Sequence, residues 1–161
     1  MTNPGPTMAY AEFNRSAVAV RDALLALGTA VDASGLDKTL TELMKLRASQ
    51  INGCAFCVQY HLTVARRLAV PAEKLDLLTV WSETDLYSPR ERAALAWAEA
   101  LTRLDDDVAR ATALVALREE FTQTEILNLT TTVGTINQWN RIAIGLGLSP
   151  QLTASASTEA E

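Results

Sequence analysis

Asn52-Gly53-Cys54-Ala55-Phe56-Cys57-Val58-Gln59-Tyr60-His61 is the stretch that decides how this chain folds. Asn-Gly is a natural break, and the residues after it have helical spacing. Cys54 and Cys57 are three apart, and Cys57 and His61 four apart, the neighbour spacings of an α-helix. Read as a helix, the segment stacks two thiols and an imidazole on one face. They are the only two cysteines and the only histidine in the chain. The break puts Cys54 at or near the N-cap and Cys57 in the first turn. There the free amides and the positive end of the helix dipole favour a thiolate. The helix reads on to Val70, where Pro71 blocks continuation.

The same pattern extends in both directions. Upstream, Leu40, Leu43, Met44, Arg47 and Ile51 share one side of a helix that Asp37 can cap and that stops near Asn52-Gly53. Before it, Phe13, Ala17, Val20, Leu24 and Leu27 predict a single helix from about Tyr10 to about Asp32. Downstream, Pro71 opens a short helix through Leu78. Ser88-Pro89-Arg90-Glu91 is a capping-box start for a helix burying Ala94, Trp97, Ala98 and Leu101. Asp105–Asp107 starts another helix that ends near Phe121. Thr122-Gln123-Thr124-Glu125 is a second capping box, opening a helix with Ile126, Leu129, Val133 and Ile136 on one stripe. No segment sustains a period of two, so the fold class is all-α. The reading is one helical domain, residues 8–149, between a disordered N-terminus (1–7) and a disordered C-terminal tail (150–161).

Composition narrows the function. At 161 residues, with 48% apolar side chains, the chain can bury a core of its own. Its formal charge of −5, from 14 Lys+Arg against 19 Asp+Glu, argues against a nucleic-acid partner. No apolar run approaches the ~18 residues of a membrane span, and the first residues lack a signal-peptide pattern. The chain therefore reads as cytoplasmic, with no membrane partner. In that compartment a CxxC is more often catalytic or metal-binding than a structural staple.

The chemistry comes from the spacing. His61, one turn after Cys57, can take that thiol's proton, which leaves Cys54 as the resolving thiol. If the two helices form an antiparallel hairpin, Glu42 comes level with His61 and can orient its ring, as a third group does for an activated nucleophile. Other readings stay open. The cysteines can be two small buried side chains. Cys54, Cys57, His61 and Glu42 can be zinc ligands, although three of them within two turns of one helix suit a tetrahedron poorly. Glu42 alone can be a solvated helix residue. Trp81, Trp97 and Trp139 read as core or interface, and Arg47 as a structural ion-pair donor.

Glu42-(four)-Arg47-Ala48-Ser49-(four)-Cys54-(two)-Cys57-(three)-His61 resembles the core motif of the alkylhydroperoxidase D-like proteins, within the carboxymuconolactone decarboxylase superfamily. The stretch from Pro89 to Thr102 and the stretch Ile136-Asn137-Gln138-Trp139-Asn140-Arg141 are similar to the later segments of short members. The resemblance implies an alkylhydroperoxidase D-like helical fold that forms homo-oligomers. It implies a thiol-dependent peroxidase or disulfide reductase in antioxidant defence, without a bound cofactor. A hydroperoxide would be the substrate and a thiol or dithiol the electron donor. Carried over, Cys57 attacks peroxide, Cys54 resolves, and His61 with Glu42 relays the proton. The chain departs from the motif at Phe56, where the fully characterised type has a second histidine. Two alternatives remain: a zinc-binding or redox-sensing module, and a non-redox decarboxylase-like enzyme. The intact CxxCxxxH argues against the latter.

Overall fold

The structure, a computed structural model, describes residues 8–150; the expected disordered N-terminus, 1–7, and all of the expected tail 150–161 except Pro150 lie outside the described residues. Among the described residues all regular structure is helical. The elements are α1 (Tyr10–Ser16), α2 (Val18–Asp32), α3 (Lys38–Asn52), α4 (Ala55–Arg67), α5 (Ala72–Asp76), a 3₁₀ helix (Leu78–Glu83), α6 (Pro89–Arg103), α7 (Asp107–Glu120) and α8 (Gln123–Gly145).

Helix α3 is the centre of the molecule. It packs against α4, α6 and α8. The sequence suggests one apolar side, yet Thr41, Glu42, Leu46 and Ser49 are buried along with Leu40, Leu43 and Met44. A helix covered on three sides must bury its polar residues too, and these then need partners. Met44 joins Trp97, Ala98, Leu117, Leu129 and Val133 in one core, while Leu43 and Leu46 join Ala65, Leu78 and Leu95 in a second.

The start signals work as expected. Asp37 caps α3 through the Thr39 N–H, and Ser88 and Thr122 both close capping boxes. Three boundaries differ from the expectation; the short helix expected from Pro71 through Leu78 runs only over Ala72–Asp76. The first predicted helix is broken at Ala17, which leaves helical geometry at φ −124° and ψ 43°. The Asn14 carbonyl, which an unbroken helix would pair with the Val18 N–H, instead accepts from Arg21 Nη1 at 3.2 Å. Helix α4 stops at Arg67 rather than Val70, because Ala69 turns left-handed (φ 57°) and the Val70 N–H returns to the Ala65 carbonyl at 3.1 Å. This is the closing bond of a Schellman end, built without the usual glycine. Pro71 accordingly stands just before α5, as its N-cap.

Candidate active site

The α3–α4 turn builds the site. Gly53 takes φ 68°, and the Cys54 N–H bonds back to the Ser49 carbonyl at 3.0 Å, so α3 ends sharply and α4 begins at once. Cys54 becomes the N-cap of α4, its sulfur accepting the Cys57 N–H at 3.3 Å. The two cysteines are joined as a disulfide with Cα atoms 5.4 Å apart. Both are buried, at 1% and 4% exposure.

A buried polar network fixes this turn. The Asn52 side-chain amide donates to Asn137 Oδ1 at 2.9 Å and Asn140 Oδ1 at 2.7 Å, and Asn140 donates to Ser49 Oγ at 3.0 Å. Asn137 also donates to Thr102. The last helix thus holds the end of α3 through two amides. Arg47 pairs with Glu99 at 2.6 Å, away from the dithiol, and the Trp81 indole N–H shares that carboxylate at 2.8 Å. Both are structural contacts, as expected for Arg47.

The hairpin carries Glu42 to His61. Glu42 Oε2 lies 2.7 Å from His61 Nδ1. Burial alone would push the Glu42 carboxyl up, but the His61 hydrogen bond and charge, then Lys45, outweigh it and hold it down at about 2. An ionised carboxylate can only accept. In the neutral imidazole the proton therefore sits on Nδ1, and Nε2 is left with a lone pair. The other oxygen, Oε1, accepts from Lys45 Nζ at 2.9 Å, with Lys38 Nζ at 3.5 Å. Glu42 is thus no solvated helix residue: its side chain is 3% exposed.

Two spaces meet at His61. A cavity of about 80 Å³ is bounded by Cys57, His61, Phe56, Tyr10, Tyr60, Leu25, Ile136 and Trp139. A wider cleft of about 480 Å³ runs from there past Lys45, Glu42 and Lys38 towards Asp32. Phe56 lies against Tyr10 with ring centroids 4.9 Å apart and planes tilted by 46°, and so packs against α1 while walling Cys57. Trp97 is core, but Trp139 is not only that: it lines both spaces, and Phe13 meets its edge at 5.9 Å. Sequence reading missed Lys45, Lys38 and Tyr60. Lys45 and Lys38 stand three after and four before Glu42, so their helical spacing was the available signal. Among the described residues no group of three or more His, Cys, Asp or Glu converges as metal ligands, and Glu42 and His61 engage each other instead.

The sequence matches the carboxymuconolactone decarboxylase family over residues 18–100. The chain belongs to this family. Within it, the chain is an alkylhydroperoxidase D-like member, as the solved structures bear out. It is 37% identical to an Agrobacterium tumefaciens protein of unknown function named as a candidate antioxidant defence protein AhpD. That match has a TM-score of 0.82 and covers 88% of this chain and 97% of the other. It is 25% identical, with a TM-score of 0.74, to an uncharacterised peroxidase-related protein with an AhpD core from Ralstonia eutropha JMP134, covering 86% and 74% of the two chains. It is 36% identical to the uncharacterised protein YdfG of Bacillus subtilis, across 71% of this chain and 78% of that one. Among the described residues no helix is long and apolar enough to cross a membrane.

Proposed function

We propose that this family member is a thiol-dependent peroxidase with disulfide-reductase capacity, acting in antioxidant defence. One observation carries the reading: the Glu42–His61 hydrogen bond at 2.7 Å, set one helical turn from Cys57 and facing the same cavity. In the reduced protein His61 Nε2 takes the Cys57 proton. The thiolate attacks the terminal oxygen of a hydroperoxide, and the O–O bond breaks. Cys57 becomes a sulfenic acid, and the alkoxide leaves as an alcohol with the proton from His61. The Cys54 thiol then displaces water from the sulfenic acid and closes the disulfide. An external dithiol returns two electrons and two protons. The names of the relatives from Agrobacterium and Ralstonia support the peroxide side of this reading.

The burial of both sulfurs and the 80 Å³ cavity favour a peroxide or thiol small enough to enter, with the aromatic walls favouring an apolar group. The working unit is a homo-oligomer: Val20 and Leu27 on α2 and Leu127 on α8 are exposed at 54%, 44% and 62%, an apolar surface that a second copy can cover. The test is stopped-flow oxidation of the reduced protein by an organic hydroperoxide, with mass spectrometry of the thiols. Stoichiometric peroxide loss with gain of the Cys54–Cys57 disulfide is the expected result. A reduced protein that leaves peroxide untouched overturns the proposal.

A further inference from the structure

We propose that Lys45 is a positioning residue, the counter-ion that lets His61 act as a base while Glu42 stays ionised. This rests on the peroxidase reading of the same site.

The geometry sets the problem. Glu42 is buried, with a side chain 3% exposed. A buried carboxylate needs a cation nearby. His61 could supply that cation by holding a second proton. An imidazole that keeps two protons for Glu42 has no lone pair left for Cys57. A different cation must therefore balance the carboxylate. Two ammonium groups approach the far oxygen, Oε1. Lys38 lies 3.5 Å away, and its closer partner is Asp32 at the end of α2. Lys45 lies at 2.9 Å, and Glu42 is the acid it pairs with among the described residues.

The charged groups that share this cleft with the imidazole are then Asp32 on α2 and Lys38, Glu42 and Lys45 on α3, with Tyr60 on α4 meeting the imidazole ring edge-on; α8 presents only Thr132, Thr135, Ile136 and Trp139 to this cleft. Asp32 balances Lys38, and Glu42 balances Lys45. The cluster sums to zero with His61 neutral. Without Lys45, one negative charge is left over, and the imidazole is the nearest group able to offset it. Lys45 also occupies Oε1, so that Oε2 alone is presented to Nδ1.

His61 is the only histidine, which makes the test direct. The ring nitrogens are followed by ¹H–¹⁵N correlation across pH in the reduced full-length protein and in K45M, K45Q, K45R and K38M. In the wild type the neutral ring should carry its proton on Nδ1. In K45M and K45Q the ring should bind its second proton about tenfold more tightly, one pH unit by the standard conversion. K45R should restore the wild-type titration, and K38M should move it less than K45M. A K45Q ring that titrates as in the wild type overturns the proposal, as does an equal response in K38M. If K45M does not fold, K45Q carries the measurement, being neutral yet able to hydrogen-bond Oε1. The result is independent of turnover. A wild-type protein inert to peroxide would sink the peroxidase reading while leaving the titration to judge Lys45.

Discussion

In the proposed mechanism one difference assigns Cys54 and Cys57 their roles: His61 stands a turn after Cys57 on the same helix, while Cys54 caps the helix and faces its N-terminal amides. C57S should abolish peroxide consumption. C54S should still consume one equivalent and stall as a sulfenic acid that a dimedone probe traps on Cys57. Labelling of Cys54 in the C57S protein would reverse the roles. Glu42 adds a pH signature. Its carboxyl is held at about 2 against an ordinary 4.5, so its stabilising effect is complete above about 4.5 and is lost as pH falls through about 2. The gap corresponds to roughly 3 kcal/mol at full strength. Urea midpoints measured from neutral to strongly acid pH should therefore fall less steeply for E42Q than for the wild type. Parallel curves would show that the contact carries no net stability. E42Q should also move the alkylation profile of Cys57 to higher pH. The double variant E42Q/H61A should cost little more than H61A if, as proposed, the two side chains act as one unit.

The Asn52-Gly53 turn is the element on which the site depends, and Asn140 is its anchor. Asn140 is fully buried and joins Ser49 to Asn52. N140A leaves both partners short of a hydrogen bond and opens a small void, which should cost roughly 2–4 kcal/mol. Chemical denaturation of N140A against N140D, which keeps the acceptor for Asn52 but loses the donor to Ser49, separates the two bonds. The hairpin itself was legible in the sequence, because Asn-Gly, the cap at Asp37 and the cysteine spacing are local signals. The α8 asparagines fall in a stretch that resembles the family, but their job was not legible: no local rule says which buried amide across the molecule will satisfy Asn52. The break at Ala17 was illegible for a related reason. Alanine is the best helix former, and the kink is held by a side chain seven residues from the carbonyl it bonds, Arg21 on Asn14. Ala69 likewise carries no helix-stop signal, and only its left-handed φ of 57° reveals the end of α4. Lys45 was legible only as a helical neighbour of Glu42: a lysine on a helix is ordinarily a solvated residue, and the burial of α3 on three sides is a tertiary fact.

Among the described residues, helix α2 keeps apolar side chains exposed beside its buried ones. Val20 and Leu27 continue the stripe whose other members, Leu24 and Val31, are buried, yet they remain exposed at 54% and 44%. The stripe is wider than the described residues cover. Leu127, on the first turns of α8, is exposed at 62%. Surfaces of this kind are costly in water unless something covers them, and the cover we propose is a copy of the same chain. Helix α2 also ends at Asp32, which holds Lys38 beside Glu42, and carries Leu25 into the wall of the Cys57 cavity. Dissociation should therefore be felt at the dithiol. V20E/L27E, which places two carboxylates on that stripe, should convert the assembly to monomer in light scattering at micromolar concentration. It should also speed alkylation of reduced Cys57, because α2 loses the support that keeps Leu25 over the cavity. A wild-type protein that is already monomeric at that concentration removes the homo-oligomer. A variant that is monomeric but unchanged in alkylation keeps the interface and cuts its link to the site.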